Sequence, residues 1–382
     1  MTVLATDGFE TYSNMADMAS RWSNRHADWG GQYGSAIVEM RPGRFGGQSL
    51  HMWNNGGGSF GSWGVTVTVD WPLPGDFPVI FTGVALNIPN MAHSGLAFVT
   101  MLDSQGVINL DMRVNSAPAA YLTRANGATV LCSSPRNVIL GNWTYFEIAA
   151  NFSSTAGWAE LWQDGILQAG YYGTGAGRGS ANGNTIGGLP SIRTVRLGFS
   201  VGGSGGGSGP TDDALYDDFY VCSNQGARNN DVLGDCRIST LLPNGPSADG
   251  TGQHTQFAIS GTTPAATNWQ SVDDPTYNQD IDYVVDNTIG HQDTYSYVDL
   301  PGAATGILAV VAQHVARKDD AGMRQIKALV RQGGIDGLSP GTANLSATYT
   351  ATNLVMETNP VTGVPWTPSD VNAAEFGFRV SG

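Results

Sequence analysis

Between Gly141 and Gly170 apolar and polar positions alternate with a period of two. Phe146, Ile148, Ala150 and Phe152 share one side of the stretch Trp143–Phe152, and Tyr145, Glu147 and Ala149 share the other. After the short residues Ser153–Gly157 the alternation resumes at Trp158–Trp162, and Asp164-Gly165 offers a second tight reversal. Period-two alternation around short, Gly-bearing loops predicts consecutive antiparallel strands. Three such strands are not stable by themselves, so the flanking chain must complete a larger sheet.

The same signal recurs on both sides. Val65, Val67, Val69 and Trp71 alternate with Thr66, Thr68 and Asp70, and Phe77–Ile88 reads as a long apolar strand. Gly95–Leu102 and Val107–Val114 form a hairpin whose inner face carries Ile108, Leu110, Met112 and Val114. Tyr121–Arg124 and Ala128–Cys132 flank Asn126-Gly127, the strongest short hairpin signal of the chain. With Ile192–Val201 and Leu215–Cys222 the first part holds about a dozen strands and no long helix. An all-β, antiparallel β-sandwich of jelly-roll type accounts for this pattern.

The glycine run Gly202–Pro210 looks like a linker, but the strand Leu215–Cys222 beyond it still belongs to the sandwich, so the run is read as a surface loop. Polar turn residues at Ser223–Asp231 mark the boundary, giving domains 1–225 and 226–382. The second domain is expected to be a smaller β-sandwich serving as an assembly module. Its strands are Cys236–Leu242, Gln256–Ser260, Tyr283–Asp286, Thr294–Leu300 and Leu345–Glu357, with Gly306–Ala316 pairing Arg324–Arg331 across a charged loop. Thr367-Pro-Ser-Asp370 predicts a short capped helix before a closing strand at Phe376–Val380.

Composition then removes several functions. The 382 residues carry 52 Gly and 18 Pro, which suits turns, and only 13% are charged. A net charge of −14 with 18 scattered Lys and Arg argues against nucleic acid as a ligand. No apolar run approaches the ~20 residues of a bilayer span, so no membrane insertion is expected. The first residues lack the basic start and apolar core of a secretory signal, so synthesis in a cytosol is expected. Sequons at Asn142, Asn151 and Asn344 are then chance matches. Cys132, Cys222 and Cys236 are too few for a disulfide framework and read as free, half-buried thiols, with a Cys222–Cys236 pair as the alternative.

Several phrases carry a resemblance. An early DGFE segment, GGQSLHM, the spacing from Trp143 to Glu147, LWQDG and the strand Tyr216–Val221 (YDDFYV) resemble the concanavalin A-like, laminin G-type jelly-roll family. The resemblance implies two curved antiparallel sheets, and in many members sugar binding on a concave face or at rim loops. The phrases LGDCRISTLLPNGPSADG, ARKDDAG and NPVTGVPWTPSDVNAAEFGFRV resemble the C-terminal module of tailed-bacteriophage virion proteins.

Candidate chemistry is sparse. The E-x-D-x-x-E triplet of jelly-roll glucanases is missing, and Glu147 and Glu160 read as ordinary solvent-facing sheet residues. Two G-x-S-x-G matches, at Ser59 and Ser204, lack the strand and helix of a nucleophile elbow. Gly173–Gly177 misses the spacing and Lys-Ser/Thr ending of a phosphate loop. The six histidines sit at no ligand spacing. The family resemblance allows Ca²⁺ near Asp212, Asp213, Asp217 and Asp218, while pairing with Arg or backbone amides explains the same acids. For sugar binding the sequence offers an aromatic and amide-bearing loop with Tyr171, Tyr172, Arg178 and Asn182, and a second loop Asn54–Ser62 between Trp53 and Trp63. Rim packing of those aromatics is the competing explanation.

The expectation is therefore a non-enzymatic structural subunit of a tailed-phage virion, made in host cytoplasm: a tail, fibre or head-decoration protein. Its partners would be other virion proteins, further copies of itself and, through the jelly roll, a host-surface glycan. The rivals are a polysaccharide-degrading enzyme and a carbohydrate-binding protein that is not viral.

Overall fold

The computed structural model describes residues 2–13, 17–28, 35–55, 65–201, 212–248, 255–258, 268–302 and 304–382. The glycine run at 202–210, most of the loop after Asn54, Trp63 and His254 lie outside them.

Thr2–Phe9 and Asn14–Ile238 form one unit, an all-β sandwich. Its strands begin with β1 (Val3–Asp7), β2 (Ser23–Asp28), β3 (Ser35–Pro42), β4 (Gln48–Asn55) and β5 (Val65–Phe77). They continue with β6 (Val79–Asn87), β7 (Leu96–Leu102), β8 (Ile108–Val114), β9 (Ala119–Arg124) and β10 (Thr129–Asn137). The last five are β11 (Trp143–Asn151), β12 (Trp158–Gln163), β13 (Ile166–Tyr171), β14 (Ile192–Val201) and β15 (Asp213–Ser223). An eight-stranded sheet runs β13-β12-β11-β6-β15-β4-β3, with β1 also on β15; a seven-stranded sheet runs β10-β9-β8-β7-β14-β5-β2. All pairings are antiparallel, and the chain passes repeatedly between the sheets, as from β5 to β6 across the single residue Pro78. The apolar run Phe77–Ile88 is thus the end of one strand and the whole of another, on opposite sheets.

Alternation sets the inward face. Phe146, Ile148, Leu86, Val84, Leu50 and Met52 of one sheet and Val67, Val69, Leu197, Leu110 and Met112 of the other are all buried. Gly198 marks the close approach: it sits at φ +114, and a Cβ there would lie 2.9 Å from Met52 Sδ. Trp22 stands edge-on to Trp71 at 5.0 Å and stacks on Phe9 at 5.7 Å, filling a further part of the core. The hairpin turns expected at Asn126-Gly127 and Asp164-Gly165 are present with positive φ.

Glu10–Ser13 and Ser239–Gly382 form the other unit. It contains β16 (Pro243–Pro246), β17 (Thr255–Ala258), β18 (Asp282–Val285), β19 (Gln292–Tyr297) and β20 (Val310–Ala316). It continues with β21 (Gln325–Gln332), β22 (Ile335–Leu338), β23 (Ala343–Asn344), β24 (Thr350–Met356), helix α1 (Pro368–Ala373) and β25 (Glu375–Val380). The main sheet is β16-β19-β25-β21-β22, and β20 pairs with β24 in a separate two-stranded ladder. The expected pairing of β20 with its sequence neighbour β21 does not form. Both edges of β21 are already taken, by β25 on one side and by β22 and β23 on the other. Cys236–Leu242 is likewise not a strand, and the long strand expected at Leu345–Glu357 shrinks to β24. Trp366, Phe376, Ile326, Val330, Leu354 and Met356 make the unit's core. Helix α1 opens with the expected capping box: the Asp370 amide donates to Thr367 Oγ1 at 3.1 Å, and the Thr367 amide donates to Asp370 Oδ2 at 2.9 Å.

Candidate functional site

The outward face of the eight-stranded sheet collects the other half of the alternation. In direct register across β11, β6, β15, β4 and β3 stand Trp143, Asn87, Leu215, His51 and Glu39. Trp53, two residues beyond His51, lies opposite Asp213. Trp143 and Trp53 are half-buried and three strand steps apart, about 14 Å across the sheet.

His51 is the fixed point of this row. Its Nδ1 lies 3.0 Å from Glu39 Oε1 and its Nε2 meets Asp213 Oδ1. Two acceptors facing both ring nitrogens fit an imidazolium. Burial works against that charge, yet Asp213 and then Glu39 outweigh it and raise the pKa above the ordinary value of 6.5. Burial would also raise Glu39, but hydrogen bonds from His51 and Arg41 hold its carboxyl below the usual range. Arg41 adds a second clamp on the same Glu39 Oε1, with Nε at 2.8 Å and Nη2 at 2.7 Å. The Trp53 ring lies parallel to His51, centroids 6.3 Å apart. Asn87 Oδ1 and Trp53 Nε1 are buried atoms without a hydrogen-bond partner among the described residues. Each is an unmet bond costing about 1–3 kcal/mol.

The other half of the same face is covered, which corrects the expectation that Glu147 and Glu160 face solvent: they are 1% and 4% exposed. Glu147 Oε1 accepts from Tyr220 Oη at 2.5 Å and from the amides of Leu233 and Gly234 at 2.9 and 2.8 Å. Gly83, between Glu147 and Tyr220 in register, leaves the room: a Cβ there would come within 2.9 Å of Tyr145 Oη. Burial raises the Glu147 pKa despite these bonds, and its Oε2 has no partner among the described residues. The segment Asp231–Ile238 is fastened at further points. Arg44 forks Asp235 at 2.5 Å twice, and the Ile238 amide donates to Asp218 Oδ1 at 2.7 Å.

Of the five sugar-site residues expected from sequence, the structure brings the side chains of two, Tyr172 and Arg178, onto one carboxylate, and the Asn182 amide donates to the Tyr172 carbonyl at 3.1 Å. Arg178 forks Glu160 at 2.9 and 2.6 Å, and Tyr172 Oη donates to the same carboxylate at 2.8 Å. Trp162 Nε1 adds a bond at 3.1 Å, and the guanidinium lies 4.6 Å over the Trp158 ring. Burial would raise Glu160, but Arg178 and Tyr172 hold it low; Tyr172 itself is pushed up to about 12 by burial and then by Glu160. With its third nitrogen on Asp231 at 2.9 Å, Arg178 latches both the loop and the covering segment to the sheet. Asn182 is a strut inside the loop, bonded to Thr174, and Tyr171 Oη accepts the Asn184 amide. Trp53 stands on β4, in the open row rather than at this latch.

The acids considered for calcium go to separate N–H donors. Asp212 accepts from the Ala92 and His93 amides, Asn54 and His93 Nδ1; Asp213 meets His51; Asp217 accepts from the Arg44 amide. No group of three metal-ligating side chains occurs among the described residues. Cys132 and Cys236 are free, half-buried thiols, and Cys222 is buried.

The seven-stranded sheet shows a different outward face. Thr123, Asp111, Thr100, Arg196 and Asp70 stand in register across β9, β8, β7, β14 and β5. Arg196 forks Asp70 at 2.5 and 2.8 Å, and Arg113 holds Asp111 at 2.7 Å while bonding the Gly95 carbonyl and Asn126. Thr123 donates to Asp111. Among the described residues this row carries paired charges and no tryptophan.

No protein family and no curated protein matches this chain. Among solved structures, the cellulose induced protein Cip1 is 18% identical with TM-score 0.40, covering 57% of this chain and 96% of its own. Alginate lyase vAL-1 from Chlorella virus is 10% identical with TM-score 0.40, covering 58% and 99%. Carbohydrate binding module CBM66 from Bacillus subtilis is 8% identical with TM-score 0.29, covering 50% and 96%. Alignments this loose say nothing of activity.

Trp143, Asn87, His51 and Glu39 escaped the sequence reading. The parity that put Glu147 outward also puts Trp143 outward; what was missing was the register that lines it up with β4 and β3.

Proposed function

We propose that the sandwich is a carbohydrate-binding module whose ligand lies on the open half of the eight-stranded sheet, across Trp143, Asn87, His51 and Trp53. The observation that carries this reading is a pair of half-buried indoles on one sheet face, with Asn87 Oδ1 beside Trp143 and the Nε1 of Trp53 itself left without hydrogen-bond partners among the described residues. Sugar rings present apolar faces to aromatic platforms and hydroxyls to fixed polar groups, and the row supplies both. A small turn of Asn87 or Trp53 toward a hydroxyl recovers a bond that is otherwise lost. Glu147 and Glu160 lie under the segments bonded to them, so neither is offered to a ligand on this face. The tailed-phage reading rests on the C-terminal phrases, and the same binding face serves a virion or a cellular protein that is not viral.

The test is titration calorimetry of the full chain against neutral oligosaccharides, repeated with Trp143→Ala and Trp53→Ala. Binding by the native chain that is lost in both variants supports the reading. No binding to any glycan, or equal binding by both variants, contradicts it.

A further inference from the structure

Resting on that reading, we infer that Asp231–Ile238 is a displaceable strap over the continuation of the binding face, and that it selects against branched glycans by occupying the place where a branch would lie. The face does not end at Trp143. Tyr145 and Glu147 are the next positions on the same side of β11, and Glu147 stands in register with Gly83 of β6 and Tyr220 of β15. Glu147 is four residues from Trp143, about 14 Å along the strand. The strap crosses the sheet at that distance and so runs alongside the open row. Asp231 is held by Arg178, which forks Glu160 of β12, and the Leu233 and Gly234 amides by Glu147 of β11. The Ile238 amide is held by Asp218 of β15, and Asp235 by Arg44 in the turn between β3 and β4.

The strap is held lightly. It follows the last strand of the sandwich and joins no ladder, so lifting it breaks no sheet hydrogen bond. Not one of its residues is buried, and the Asp231 and Asp235 side chains of its two ion pairs are 55% and 40% exposed. Ion pairs this open contribute little. What it covers differs: Tyr145, Glu147, Asp218 and Tyr220 are all buried. The strap's amides reach Glu147 Oε1, while Oε2 has no partner among the described residues. A sugar hydroxyl in the strap's place is a donor that either oxygen accepts. A linear chain lying along the row never meets the strap. A branch directed along β11 must displace it, and that displacement is subtracted from the branched ligand's affinity.

Hydrogen exchange of the full chain without ligand tests the strap itself. The Leu233, Gly234 and Ile238 amides should exchange together, at least a hundredfold faster than the amides of β11. Equal rates would mean that the segment leaves only on global unfolding, and would overturn the inference. Titration then compares a β-1,4-glucose hexamer with the same backbone bearing two-sugar branches. The branched ligand should bind at least tenfold more weakly, and the gap should narrow severalfold when the strap is loosened. One loosened variant is Asp231→Asn with Asp235→Asn; the other is Gly234→Pro, which lacks the amide and cannot take the φ of +83 found there. Thermal melts identify the folded variants, and faster exchange at Leu233 the loosened ones; one variant that is both suffices. No gap between the ligands, a gap unchanged in a loosened variant, or unchanged exchange in both folded variants overturns the inference and leaves the carbohydrate reading intact. If the hexamer does not bind, the same comparison is made on the backbone that a wider glycan panel yields, and a silent panel sinks both.

Discussion

The two outward faces of the sandwich are built from the same alternation and come out opposite in character. On the seven-stranded sheet every carboxylate of the central row has its arginine, Asp70 with Arg196 and Asp111 with Arg113. On the open half of the eight-stranded sheet His51 is shared between Glu39 and Asp213, Arg41 also holds Glu39, and the buried Trp53 Nε1 and Asn87 Oδ1 have no partner among the described residues. A face whose charged groups are paired has little to gain from a charged or polar ligand, even with Thr68 Oγ1 lacking a partner among the described residues. A face that keeps indoles at the surface and leaves hydrogen bonds unmade does.

The largest expected effect lies on the saturated face. Arg113→Ala takes the cation from Asp111, whose side chain is fully buried, and should cost about 3–5 kcal/mol of stability in urea unfolding. Glycan affinity of the folded fraction should stay within about twofold, being on the other face. A large affinity loss there would break the comparison.

Arg178→Ala comes next. It removes the latch between Glu160 and Asp231 and should cost about 2–3 kcal/mol, less than a fully buried pair because Arg178 is partly exposed. Hydrogen exchange should quicken at Leu233 and Gly234, while the open row keeps its affinity. Unchanged protection of those amides would show that Glu147, Arg44 and Asp218 hold the segment without Arg178.

Trp143→Ala should act the other way round. Stability should move by less than about 1 kcal/mol, and glycan affinity should fall by about 2 kcal/mol, roughly thirtyfold. A variant that loses stability and keeps affinity would make Trp143 a packing residue.

The smallest effect is the pH dependence of His51. Its pKa is raised in the folded protein, so its contribution to stability is fully present below the ordinary value of 6.5 and is lost as pH rises through the raised value. His51→Gln should flatten that part of the stability profile. A profile identical to the native one would remove His51 as its source.

Much of the sandwich was legible in the chain because period two is a direct image of two-faced strands. Phe146 and Ile148 take one face of β11 and Tyr145 and Glu147 the other, as the alternation requires, although all four are buried. What alternation cannot carry is contact between distant segments. Glu147 looks exposed in sequence and is buried because amides 86 and 87 residues away lie on it. The same blindness paired β20 with its neighbour instead of β24, since local pattern cannot tell which edge of β21 is vacant. The candidate site was half visible. Trp53 stood out as an aromatic beside a glycine-rich loop, whereas Trp143, Asn87, His51 and Glu39 come into line only through the registers of four ladders.

The most direct test is a crystal structure of the chain with a bound glucose oligomer. The expected result is a sugar ring stacked on Trp143 or Trp53, with a hydroxyl at Asn87 Oδ1. A ligand lying instead across Arg196 and Arg113 on the seven-stranded sheet would contradict the account.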